Sequence, residues 1–129
     1  GQNASKDIYK ATKNESLSTD RLIPMLLDLS SMESVSRFVS AFLLKGYKLD
    51  ILILNAGVMM TPYSTTKDGL EYQFGTNHIG HFLLVKLLMP LIIMSNTRIV
   101  IVSSAAHQYS YWEGIRFNQL TNGDNYDPL

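Results

Sequence analysis

The chain has 129 residues, enough for one domain with a buried core. Its 11 basic and 11 acidic residues balance and no basic run appears, which argues against nucleic acid as a partner. It has no cysteine, so disulfides and thiolate metal sites are excluded and the redox compartment is left open.

Residues 1–20 are polar and carry no secretory signal. Gly1 to Asn14 reads as a polar helix with Ile8 and Tyr9 as its few anchors, and Leu17 to Asp20 as a Ser/Thr-rich loop. Leu22 to Leu29 is the first strand candidate, with pairing expected after Pro24, which has no N–H to donate. Ser30 followed by Glu33 has the form of a capping box. Val35, Phe38, Val39, Phe42 and Leu43 then recur at helical spacing and form one apolar face, which Gly46 is expected to end.

Ile51 to Leu54 is a continuous apolar run, too short for a typical helix and suited to a strand buried on both faces. It stops at Asn55-Ala56-Gly57, where a small residue and a bare glycine let the chain turn and let a ligand approach the backbone. The order strand, helix, parallel strand implies a right-handed crossover. Residues 58 to 66 read as a loop, and Thr66 or Asp68 as the cap of the next helix. Asn77, Gly80 and Pro90 are weak helix formers, so a bend near Asn77 is expected. Phe82 to Met94 is the most apolar stretch; it is too short to span a bilayer, carries Lys86 and Pro90, and reads as a buried helix. Arg98 to Val102 is the third strand, followed by Ser103-Ser104, and everything from Ala105 on is loop-like.

Strands alternating with long helices predict an α/β fold, a partial Rossmann-like doubly wound parallel sheet over residues 1–129. In such sheets ligands sit beyond the carboxyl ends of the strands. If the strands are neighbours, Asp28, Asn55, Gly57 and Ser103-Ser104 share one rim, which suits a nucleotide-like ligand. Plain strand endings would use the same residue types. His78 and His81 have metal-ligand spacing, but no carboxylate cluster accompanies them and no metal site is expected.

Several of these residues resemble the motifs of the short-chain dehydrogenases/reductases. Asn55-Ala56-Gly57 after an apolar strand is similar to that family's Asn-Ala-Gly motif, and Asp28-Leu29 to its preceding acidic turn. Gly75 to Leu84, containing Asn77-His78-Ile79-Gly80-His81-Phe82, resembles the retinol dehydrogenase and WW-domain-containing oxidoreductase branch, as does Arg98 to His107 with its Ser103-Ser104-Ala105-Ala106-His107. The likeness runs from about Asn3 to Leu120. It implies reversible hydride transfer between NAD or NADP and a small hydrophobic alcohol/carbonyl, retinoid or steroid-like. Asp28 would accept from the adenine amino group, with Leu29 beside the ring. Asn55 would brace the strand, Ala56 and Gly57 would let ribose and phosphates pass, and Val102 would sit near the nicotinamide. Asn77 and Ser104 would be catalytic, Asn77 through a water on its backbone carbonyl and Ser104 by positioning the substrate oxygen.

The chain departs from that pattern in three places. No Gly-x-x-x-Gly-x-Gly turn occurs, and the resemblance implies that it would precede residue 1. No Tyr-x-x-x-Lys pair follows Ser104, and Tyr126 would need a lysine beyond Leu129. Tyr9 with Lys13 and Tyr63 with Lys67 have the spacing but lie before Ser104. Gln2 stands where the branch usually has an arginine for the 2′-phosphate. The expectation is therefore a segment of a larger dehydrogenase, inactive alone, with an exposed sheet edge. The alternative is a truncated, non-catalytic interaction or regulatory protein of the same fold, with the Phe82 to Met94 helix as its candidate homo-oligomer contact. The resemblance implies a cytoplasmic or membrane-associated parent.

Overall fold

A computed structural model describes residues 6–8, 10, 22–109, 111–124 and 126. Residues 6–8 and 10 are helical, as expected; the rest of the N-terminal helix, the Leu17 to Asp20 loop, Gln2 and the Tyr9 and Lys13 pair lie outside the described residues.

The first full helix, α1, runs Met32–Leu43. Its cap is shifted one residue from the expected box: Ser31 is the N-cap and its hydroxyl accepts from Ser34 N–H at 3.2 Å. Ser30 is drawn instead to Asp28, and Glu33 pairs along the helix with Arg37 at 3.5 Å. Asp68, read as a cap for the following helix, takes the Met32 N–H at 2.9 Å. A second orphan donor of α1 is thus satisfied from a distant loop. Val35 and Val39 are buried and Phe38 and Phe42 pack beside them. Gly46 closes the exit turn at φ 65°, a conformation that glycine adopts without steric cost.

Strand β1, Ile51–Leu54, pairs in parallel with β2, Arg98–Ile101, with Ile51 opposite Arg98 and Leu54 opposite Ile101. The ladder extends by a bond from Val102 N–H to Leu54 O at 3.0 Å. The expected strand at Leu22 to Leu29 does not form, because no strand lies beside it among the described residues. Leu27 and Leu29 still pack on the core. β1 was expected to be buried on both faces, yet Ile51 and Ile53 are 57% and 61% exposed. The helices cover only the Leu52, Leu54 and Ile99 side.

Between the strands one continuous helical run spans Tyr72–Ser95, in three parts. They are α2 (Tyr72–Phe74), a π-helical segment (Gly75–Gly80) and α3 (His81–Ser95). Glu71, rather than Thr66 or Asp68, is the cap, with its carboxylate accepting from Gln73 and Phe74 N–H at 2.8 and 2.7 Å. Thr66 instead folds its own turn, accepting from Asp68 and Leu70. Where a bend was expected near Asn77 the run stays helical and passes through the π segment, in which the wider ring loosens backbone bonding at a place often used for function. Pro90 stays inside α3, and Asn96 ends it at φ 53°. Phe82 to Met94 alone is too short for a membrane, but the 24-residue helical run is long and apolar enough by length and composition to cross one. Its inward side is the core: Leu84, Leu88, Leu91 and Ile92 pack with Val35, Val39 and Leu54.

Gly80 explains how closely the pieces approach. A Cβ there would stand 2.3 Å from Leu29 O, so the π segment and the Leu29 backbone touch only because the residue is glycine.

Candidate functional site at the carboxyl ends of the strands

A cleft of about 990 Å³ opens where β1 and β2 end. One wall is Leu54 to Met59, another is Ile101 to Ser104 with Ala106 and Tyr109, and the floor is the helix from Gln73 to Val85. The structure thus gathers Asn55, Ala56, Gly57, Asn77, Val102, Ser103 and Ser104 around one space.

Asn77 holds the first wall in place. Its Oδ1 accepts from Val58 N–H at 2.8 Å and its Nδ2 donates to Val58 O at 2.8 Å. Gly57 lies against the same amide; a Cβ would come 3.4 Å from Asn77 Oδ1. The Asn77 backbone carbonyl accepts from His81 Nδ1 at 2.8 Å. One residue thereby ties the strand-end turn, the π segment and the start of α3 together.

Ser104 sits on the opposite wall. Ala106 N–H donates to its Oγ at 3.1 Å, and its carbonyl accepts from His107 Nδ1 at 2.7 Å. The side chain is exposed toward the cleft with its own O–H left to donate. Asn55 lines the cleft, and its side-chain amide bonds to none of the described residues; the brace between strand end and helix comes from Asn77.

The common rim forms from two strand ends rather than three. Asp28 and Leu29 are not among the lining residues. Asp28 turns toward α1: its Oδ1 accepts from Ser30 N–H and Oγ–H at 3.0 and 2.6 Å, and its Oδ2 meets Lys67 Nζ at 3.2 Å. The Ser30 hydroxyl, then the Ser30 N–H, hold this carboxyl below its usual range against a smaller opposing effect of desolvation, with Lys67 adding a lesser lowering. The same pair disposes of one decoy. Lys67 is engaged by Asp28, and Tyr63 packs edge-on against Tyr126 at 5.2 Å, away from the cleft lining.

Three residues take places at or beside the cleft that the sequence did not assign to them. Gln73 lines the cleft, accepts from Met60 N–H at 2.8 Å and donates to Tyr126 at 2.7 Å. Tyr126 in turn donates to Glu71 Oε1 at 2.9 Å, docking the end of the described chain on the α2 cap. His81 lines the cleft floor. Its place four residues after Asn77 was a usable signal, since that spacing puts both on one helix face; Gln73 and Tyr126 had none.

Residues 2–117 match the profile described as short chain dehydrogenase. The chain belongs to that family. Among its relatives is short-chain dehydrogenase TIC 32 A, chloroplastic, of Brassica napus, 47% identical over 82% of this chain and 35% of the relative. Mouse retinol dehydrogenase 12 is 43% identical over 98% of this chain and 38% of its own length. Human polyprenol dehydrogenase is 39% identical over 96% and 38%. The chain thus spans little more than a third of the curated relatives it matches. Its fold is similar to the crystal structure of KRED1-Pglu enzyme, at TM-score 0.56 and 20% identity over 79% of this chain and 41% of that one.

Proposed function

We propose that this chain is the cofactor-cleft segment of an NAD(P)-dependent oxidoreductase acting on a hydrophobic alcohol or carbonyl, retinol- or steroid-like. The observation that carries the reading is the convergence of Asn77 and Ser104 on one cleft at the strand ends. The names of the retinol and polyprenol dehydrogenase relatives support the substrate class.

The cleft fits the reacting end of a nicotinamide cofactor. Ala56 and Gly57 leave the turn bare, and Val102 offers an apolar wall for a flat ring. The reading covers NAD and NADP alike, since no lysine or arginine lines the cleft among the described residues. When bound, the cofactor supplies or accepts the hydride. Ser104 positions the substrate oxygen through its O–H, and the Asn77 carbonyl, which has two lone pairs, holds a water beside the His81 N–H. Asp28 and Leu29 lie outside this cleft, and their assignment to the adenine end rests on the family resemblance alone. Tyr126 donates to Glu71 and meets no lysine among the described residues, which supports the reading that the 129-residue chain alone does not turn over.

The test is nicotinamide-dependent oxidation of retinol by the complete product of the reading frame containing this chain, beside the 129-residue chain alone. The complete product should turn over and the short chain should not. Ser104→Ala in the active form should lower kcat by at least about a hundredfold. Turnover by the short chain, or an unaffected Ser104→Ala enzyme, would sink the reading.

A second reading, a non-catalytic partner protein of the same fold, draws on the outward side of α3. Ile93 and Met94 are 73% and 78% exposed. A homodimer through this face is checked by light scattering, where a monodisperse dimer supports it and a monomer at all concentrations removes it.

A further inference from the structure

The geometry points to His81 as a ligand-binding residue of the cleft, its Nε2 accepting a hydrogen bond from the hydroxyl of a bound alcohol. This rests on the reading of the cleft as an alcohol/carbonyl site. His81 is 9% exposed and lines the cleft floor. Its Nδ1 lies 2.8 Å from the Asn77 carbonyl, which can only accept, so Nδ1 carries a proton. In the neutral ring the lone pair then belongs to Nε2, which bonds to none of the described residues. An acceptor with no partner among the described residues, on a mostly buried residue that lines an otherwise largely apolar cavity, is suited to a ligand O–H.

The carbonyl on which Nδ1 is anchored belongs to Asn77, the residue that also clamps Val58. A hydroxyl on Nε2 would therefore be registered against the strand-end turn through three consecutive polar contacts. His107 provides a built-in comparison. Its Nδ1 bonds a backbone carbonyl in the same way, that of Ser104 at 2.7 Å, but its ring is outside the cleft lining.

The test is long-range nitrogen–proton spectroscopy of the full chain with labelled histidine, titrated with cyclohexanol and with its methyl ether. The expected His81 ring has the proton on Nδ1 and a bare Nε2. Cyclohexanol shifts the Nε2 resonance and leaves His107 unchanged. The ether moves the Gly57 and Ser104 amides but not Nε2. A proton on Nε2 overturns the proposal. So does an alcohol that moves the Gly57 and Ser104 amides and leaves Nε2 untouched, a result that spares the cleft reading. Silence at those amides instead overturns the cleft reading and this proposal with it.

His81→Asn keeps an N–H donor at the δ position and removes the ε nitrogen. It is expected to leave the Asn77 and Val58 amide shifts in place while weakening cyclohexanol binding about tenfold. Unchanged binding assigns His81 a purely internal role and overturns the proposal. The tautomer result on the unaltered chain decides by itself if the variant does not fold.

Discussion

The side chain of Asn77 pairs with the backbone of Val58 as a neighbouring strand would, one bond in each direction and both 2.8 Å long. This clamp joins a helix to a loop 19 residues earlier in the chain, and the cleft wall depends on it.

Asn77→Ala should cost about 1–3 kcal/mol, the net worth of two hydrogen bonds with both Val58 groups left to find water. Asn77→Asp keeps the acceptor but turns an oxygen toward Val58 O, and should also destabilise. Urea midpoints of the variants check both; an Asp variant as stable as the parent would show that the Nδ2 bond contributes nothing.

Two glycines should respond in different ways. Gly80→Ala places a methyl 2.3 Å from Leu29 O, a backbone atom that cannot rotate away, so an overpacking cost of about 1–3 kcal/mol or more is expected. Gly46→Ala meets nothing within 4 Å, and its cost is the left-handed φ of 65° alone, about 1 kcal/mol. Thermal melts of the two variants should rank them in that order.

Tyr126 makes stability fall in alkali. Burial, and more weakly its bond to the Glu71 carboxylate, raise its pKa above the ordinary tyrosine value. The folded state therefore keeps its proton where the unfolded chain loses it. The contribution is fully present below about pH 10 and is lost as pH rises through the folded value. Tyr126→Phe should flatten that alkaline decline, measured as urea midpoints against pH. A slope that survives the substitution would assign it to another group.

Asp28 acts in acid with the opposite sign. Its lowered pKa means stability present above about pH 4 and lost as pH falls through the folded value. Ser30→Ala removes the hydroxyl responsible for the largest part of the lowering, so the Asp28 carboxyl should titrate at higher pH and acid unfolding should begin earlier. Carbon NMR of the Asp28 carboxyl follows this directly.

The α1 face, the two strands and the turn at Gly57 were legible because each rests on local periodicity or on a residue with special backbone freedom. The capping assignments were less so. Ser30, Ser31, Thr66 and Asp68 are chemically interchangeable as short acceptors, and which amide each reaches depends on chain segments far apart: Asp68 caps α1 across 36 residues. The Leu22 to Leu29 run has strand composition but no ladder, since pairing needs a neighbour and not only propensity.

The sequence by itself determined the α/β class, the family and the identity of the polar residues at the strand ends, because these follow from pattern and motif order. Only the tertiary structure decided which of them meet. It brought Asn55, Asn77 and Ser104 to one cleft, turned Asp28 toward Ser30 and Lys67, and set His81 and Gln73 into the cleft lining. The physical reason is that a strand end fixes a position while a side chain goes to the partner that satisfies it. That partner is set by packing between residues distant in sequence, as Leu29 against Gly80 and Val58 against Asn77 demonstrate.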